Sequence, residues 1–309
     1  FSDGDLVICA HPYWFRVHRR MLESQSSEFA RLLAIPWSMV NGVTCVNSTK
    51  DSGPDFYNFL AAVYHHENFP DPPARVDFSV VESVLRVAHK YGAAAMRSRA
   101  LAHLMAYSDL QGDLLPIDAT PRLGAMKAIA ALAREVGALW ILPEILYEIT
   151  CFAPDQIENA NAWSGASRSL SHADRVAVGN GHRRTRHLAD NPFRTLIAPE
   201  RDCPERKCRK WRKELCKTQH RSFFTDPKRC VDWKSPSRED VRLKGMCHAC
   251  RRIFKREWTE FSFSFWQALP ERFDLPGWEE LDDMREKDIR LQIEDTSSPA
   301  NASHGSSHD

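Results

Sequence analysis

The chain has 309 residues, 43% of them hydrophobic and 27% charged, with a formal net charge of +1. That length allows two domains, each large enough to bury a core, within an ordinary globular composition. No uninterrupted apolar stretch approaches the roughly 18 residues of a membrane-spanning helix; even 123–152 carries Lys127, Arg134, Glu135, Glu144 and Glu148.

Leu6, Val7 and Ile8 form a short apolar run, and Phe15 and Val17 alternate with Arg16 and His18; the pattern predicts a two-sided strand followed by a half-buried one. From Met21 the period changes, because Met21, Leu22, Phe29, Leu32 and Leu33 recur at helical spacing. Ser24, Ser26 and Ser27 interrupt that stripe with side chains that cap helices, so the segment divides into two short helices. Val43-Thr44-Cys45-Val46 is β-branched and reads as a third strand. Ser52-Gly53-Pro54-Asp55 then opens a helix whose apolar face is Phe56, Phe59, Leu60, Val63 and Tyr64, and Pro70 to Pro73 closes that region. Val80, Val81, Val84, Leu85, Val87, Ala88 and Tyr91 form the next apolar face, Gly92 stops it, and Met96, Leu101, Leu104 and Met105 continue in another helix.

In order and spacing, Asp5-Leu6-Val7-Ile8, Phe15-x-Val17-His18-Arg19-x-x-Leu22, Ser26-x-x-Phe29, Phe59-Leu60-x-x-Val63-Tyr64 and Ala88-His89-Lys90-Tyr91 resemble a BTB/POZ domain over residues 3 to about 107. The resemblance implies an α+β module, a small sheet with a helical cluster, that dimerises or docks another protein chain. It also implies that Asp5 and Arg19 form an oppositely charged pair at the floor of a groove near the dimer axis, where two buried charges compensate each other. His18, Leu22 and Phe29 belong to the same expected partner-binding groove. The alternative for the pair is that Asp5 caps a strand entry and Arg19 lies in solvent; for His18 it is a structural histidine holding the strand-to-helix turn. Ala133 to Pro143, and Phe265-Trp266 with Leu269-Pro270, resemble the large group of BTB proteins from mushroom-forming fungi, a likeness that brings no activity with it.

Beyond a BTB-like domain at 1–112, residues 113–158 read as a helical extension, with one stripe from Leu123 to Val136 ending near Gly137 and a second helix opening at Pro143. Residues 159–195 turn to Ser, Asn, Gly, His and Arg and suit a flexible connector. Residues 196–292 are aromatic, Cys-rich and mainly helical, and 293–309 read as a disordered tail. Charge is divided unevenly: between Cys203 and Glu257 there are 18 Lys and Arg against 7 Asp and Glu, while 271–309 holds 4 against 11.

Of nine cysteines, Cys9, Cys45 and Cys151 sit singly in apolar settings and read as small core residues. The other six lie between 203 and 250. Two thiolates on one tight turn share a Zn²⁺ and two such turns complete a tetrahedron, so Cys203, Cys208, Cys247 and Cys250 are the preferred set for one structural zinc. Cys216, His220 or Cys230 are substitutes, because 38 residues separate Cys208 from Cys247; the alternative is a set of reduced thiols. The run containing Arg209, Lys210, Arg212 and Lys213 could attract phosphates, with Trp211, Phe223 and Phe224 stacking on bases. The competing reading, favoured here, is a solvated face that meets the acidic end of the same chain.

No Gly-rich phosphate loop, Gly-x-Ser-x-Gly elbow or His-Glu-x-x-His occurs. Together with this, the BTB resemblance implies a non-enzymatic, intracellular (nuclear or cytoplasmic) interaction scaffold working as a homodimer or heteromer, with no membrane role. Nucleic-acid regulation through the basic Cys-rich segment is one alternative; the other, adaptor work for a cullin-type ubiquitin ligase, is implied by the resemblance alone. Because the first residue is Phe1 rather than Met, an upstream segment is also expected as an open matter.

Overall fold

The computed structural model describes residues 1–49, 51–108, 119–160, 163, 170–186, 203–219 and 245–296. It is a mixed α/β chain with a small four-stranded sheet and mostly helices. Two compact units divide it: Phe1–Ile141 with Ala162–Arg168 and Leu281–Asp309, and Leu142–Asn161 with Ser169–Glu280.

In the first unit β1 (Leu6–Ala10) and β2 (Tyr13–Val17) pair antiparallel, as the alternation predicts, with Leu6, Ile8 and Ala10 turned into the core. α1 (Arg19–Glu23) and α2 (Ser27–Ala34) are the two short helices, and the break between them is chemical: the Ser26 hydroxyl accepts from the Phe29 N–H at 3.1 Å. Next come β3 (Ser38–Val40) and β4 (Val43–Thr49). β3 was absent from the sequence reading; Asn41 and Gly42 have φ of 51° and 79°, the left-handed pair that joins a two-residue hairpin. β4 runs parallel to β1, giving the order β2-β1-β4-β3.

α3 (Gly53–Tyr64) starts as expected, with Ser52 accepting from the Asp55 N–H and Pro54 in its first turn. α4 (Phe78–Tyr91) stops at Gly92, whose φ of 64° is the left-handed conformation read from the sequence. α5 (Ala94–Ser108) and α6 (Ala119–Glu135) follow. Phe29, Phe56, Phe59 and Tyr91 interlock in the core, with Phe29 and Tyr91 stacked at 4.4 Å. Arg86 of α4 ties three helices together through Asp55, Glu82 and Glu135.

The second unit begins with α7 (Leu142–Thr150) and α8 (Pro154–Asn159), so the extension expected over 113–158 is divided between the units at Leu142. The flexible connector expected over 159–195 is corrected in part, because α9 (His172–Arg186) occupies its middle. The cap is local: the Ser171 hydroxyl accepts from the Asp174 N–H at 3.0 Å and donates to the Asp174 carboxylate at 2.7 Å. Gly181, read as loop composition, is instead the point where α9 meets Phe273; a Cβ there would lie 2.3 Å from the ring. α10 (Arg206–Gln219), α11 (His248–Gln267) and α12 (Leu269–Arg272) follow among the described residues, and Tyr147 meets Phe265 edge-on at 5.3 Å. α13 (Trp278–Thr296) contributes its first turn here and the rest to the first unit. It carries helix four residues into the segment expected as tail; residues 297–309 lie outside the described residues. Among the described residues no helix is long and apolar enough to cross a membrane.

Candidate functional site

Cys203 lies just before α10 and Cys208 falls in its first turn; Cys247 is the residue that precedes α11 and Cys250 falls in its first turn. Each arm therefore presents two thiols from the start of a helix, and all four sulfurs lie within 4.8 Å of one another, Cys203 and Cys247 at 3.7 Å. A tetrahedral Zn²⁺ with Zn–S near 2.3 Å separates its sulfurs by about 3.8 Å, so the donor set and its dimensions fit a metal held by four thiolates. The separation of 38 residues between Cys208 and Cys247, which weakened the pairing on paper, is closed in space by the fold.

The surroundings are apolar: Cys203 and Cys208 are buried with Met246 and Phe254, and Trp211 and Ile253 pack against them. Gly245 lets the Trp211 ring approach; an added Cβ would meet its Cδ1 at 2.1 Å. The Cys250 backbone N–H aimed at Cys247 favours the thiolate and brings its pKa down to about 7. Burial acts the other way on Cys250, pushed up to about 12, and raises Cys208. Such a set gives up its protons to a cation far more readily than to water. With a metal bound, four protein sulfurs would close the coordination, leave no position for an activated water and brace two helices. The side chain of Cys216, with His220 and Cys230, lies outside the described residues.

The basic run is split by the same packing. Arg206, Lys207, Arg209, Lys210 and Lys213 are exposed, but Arg212 is 1% exposed and cannot meet a phosphate in solvent. Trp211, expected to stack on a base, is turned onto the cysteine cluster; Phe223 and Phe224 lie outside the described residues. Asp288, at the acidic end, pairs with Arg97 of the first unit and accepts from the Trp140 indole at 3.0 Å, so that carboxylate does not serve the basic run.

In the first unit the expected Asp5–Arg19 ion pair is corrected. Asp5 is exposed, and its carboxylate accepts from the backbone N–H of Arg19 at 2.7 Å. The Arg19 guanidinium donates to the Leu33 carbonyl at 2.7 Å and faces Glu23 at 3.5 Å. A carboxylate before a helix is better used on the unsatisfied N–H of the first turn than on a side chain already occupied. Leu22 and Phe29, expected in a partner groove, are both 0% exposed and belong to the chain's own core. His18 sits at the turn before α1, where the Tyr64 hydroxyl accepts from its backbone N–H at 2.8 Å and Asp3 lies 3.3 Å from its Nε2. Cys9, Cys45 and Cys151 are half-buried rather than fully in the core.

The apolar surface missed by sequence reasoning lies at the sheet edges. Tyr13 and Trp14 on β2 are 53% and 59% exposed, and Met39 and Val40 on β3 are 66% and 56% exposed. Their signal was adjacent bulky residues, Tyr13-Trp14 and Met39-Val40, on strands that close the two edges of the sheet. No known family model, curated protein or solved structure matches the chain.

Proposed function

We propose that the chain is a non-enzymatic scaffold that pairs with a second copy of itself through a BTB/POZ-like first unit, while a structural zinc closes the second. The observation that carries the pairing is the uncovered apolar edge on each side of the sheet, Tyr13 and Trp14 on β2 and Met39 and Val40 on β3. Open strands with bulky apolar side chains are templates for another chain, and a two-fold pairing lets one patch serve both partners. The zinc reading is supported by the dimensions and burial of Cys203, Cys208, Cys247 and Cys250.

The order of elements, hairpin, two short helices, strands and three helices, suits the BTB-like resemblance. Partner contacts move from Leu22 and Phe29, which the core consumes, to the strands. Sedimentation velocity on the full chain and on Trp14→Ser and Met39→Ser variants tests this. One variant shifting the association equilibrium at least tenfold towards the single chain supports the reading; both sedimenting like the unchanged protein contradicts the edge assignment.

A further inference from the structure

Zinc with four thiolates carries a net charge of −2, and the starts of α10 and α11 converge on that centre with positive dipole ends. Some of the local cations are accounted for by the centre itself: Arg209 donates to the Cys203 carbonyl and Arg251 to the Met246 carbonyl at 3.4 Å. The remainder point elsewhere. On α10, Arg206, Lys207, Lys210 and Lys213 are exposed; on α11, Arg252 and Lys255 are exposed.

The directions of these side chains are informative. With 3.6 residues per turn, the exposed basic positions of α10 fan over roughly 120° of its surface along about 10 Å of axis. The opposite side holds Cys208, Trp211 and Arg212 and is buried. A helix with cations spread across its exposed side and its apolar side sealed suits an extended run of negative charge. It lacks the exposed apolar face by which an amphipathic helix inserts into a membrane interface. The major groove of B-form DNA is about 12 Å wide between its phosphate rows, against a helix diameter of about 10–12 Å; the deep, narrow major groove of duplex RNA does not admit one.

We infer that α10, steadied by the four-cysteine centre, binds duplex DNA through the phosphates lining its major groove. The inference rests on the zinc reading, because the centre fixes the start of α10. Arg212 has no part in it. The contacts position the helix on the backbone and carry no base sequence.

The test is fluorescence anisotropy of a labelled 20-base-pair mixed-sequence DNA duplex titrated with the full chain, with zinc content measured on the same sample. Phosphate contacts from Arg206, Lys207, Lys210 and Lys213 predict a loss on the order of 10²-fold in affinity between 50 and 200 mM salt. Replacing Lys207, Lys210 and Lys213 together with Gln lowers the slope of log affinity against log salt by about 3, with helix content unchanged by circular dichroism. Absence of saturable binding at 50 mM salt from protein carrying one zinc per chain overturns the inference and leaves the zinc reading standing. Equal binding by a zinc-free sample overturns the dependence on the centre, and zinc uptake by that sample then tests the zinc reading separately. Equal binding to duplex RNA, or equal competition by poly-glutamate of matched charge, overturns the groove assignment.

Discussion

The Asp5 carboxylate accepts from the backbone N–H of Arg19 at 2.7 Å while the Arg19 guanidinium donates to the Leu33 carbonyl at the same distance. Asp5 thus holds the start of α1 against the end of β2, and the arginine separately ties α1 to α2. Asp5→Ala is predicted to cost about 0.5–2 kcal/mol, as loss of a helix-start acceptor does. In a double-mutant cycle by urea unfolding, Asp5→Ala and Arg19→Ala add within about 0.5 kcal/mol. A larger coupling would restore the side-chain ion pair.

The four-cysteine centre predicts that a strong chelator removes one metal per chain and that α10 and α11 lose helix with it, because the binding free energy is folding free energy. Cys247→Ser abolishes metal uptake and Cys151→Ser leaves it intact. Acid acts in the same direction as the chelator: Cys208 and Cys250 hold their protons tightly when no metal competes, so metal is released as pH falls. Elemental analysis after dialysis at stepped pH reads this, and retention of metal by Cys247→Ser would contradict the ligand set.

Two glycines of one helix are predicted to respond oppositely. Gly181→Ala forces a Cβ to within 2.3 Å of the buried Phe273 ring and costs about 1–3 kcal/mol by overpacking. Gly179 has nothing within 4 Å of its Cβ position, so Gly179→Ala stabilises by about 0.5–1 kcal/mol through helix propensity. Thermal unfolding of both variants decides; equal shifts would remove the α9–Phe273 contact.

His103 is buried, its Nε2 2.8 Å from the Pro70 carbonyl, and burial lowers its pKa from the usual 6.5. The folded protein resists the proton that the unfolded chain accepts, so the unfolded state binds more protons below about pH 6.5 and stability falls as pH drops through that value. Above it the contribution is complete and flat. His103→Gln keeps a donor near the carbonyl without the titration. Denaturant midpoints measured from pH 8 to 5 should therefore fall less steeply for the variant, and parallel slopes would contradict this role for His103.

The helices of the first unit were legible because their apolar spacing, Ser caps and Gly92 all name the same boundaries. β3 was not, since Ser38-Met39-Val40 is wholly exposed and has no buried face to give it a period; Asn41-Gly42 was the usable signal. α9 was hidden by its composition, few large residues and two glycines, although Ser171 and Asp174 spell a helix start. The metal ligands were legible by residue type, and only the fold could join arms so far apart. Side-chain direction was the systematic gap: Arg212, Trp211, Leu22 and Phe29 were read as outward, and each turns inward where apolar contact or enclosure by neighbours outweighs exposure.

Light scattering on the eluting full chain, with zinc quantified in the same peak, is the most direct test of a self-pairing, zinc-closed scaffold. The account predicts twice the chain mass with one zinc per chain at micromolar concentration. A single-chain mass that persists as concentration rises a hundredfold, whatever its zinc content, would contradict it.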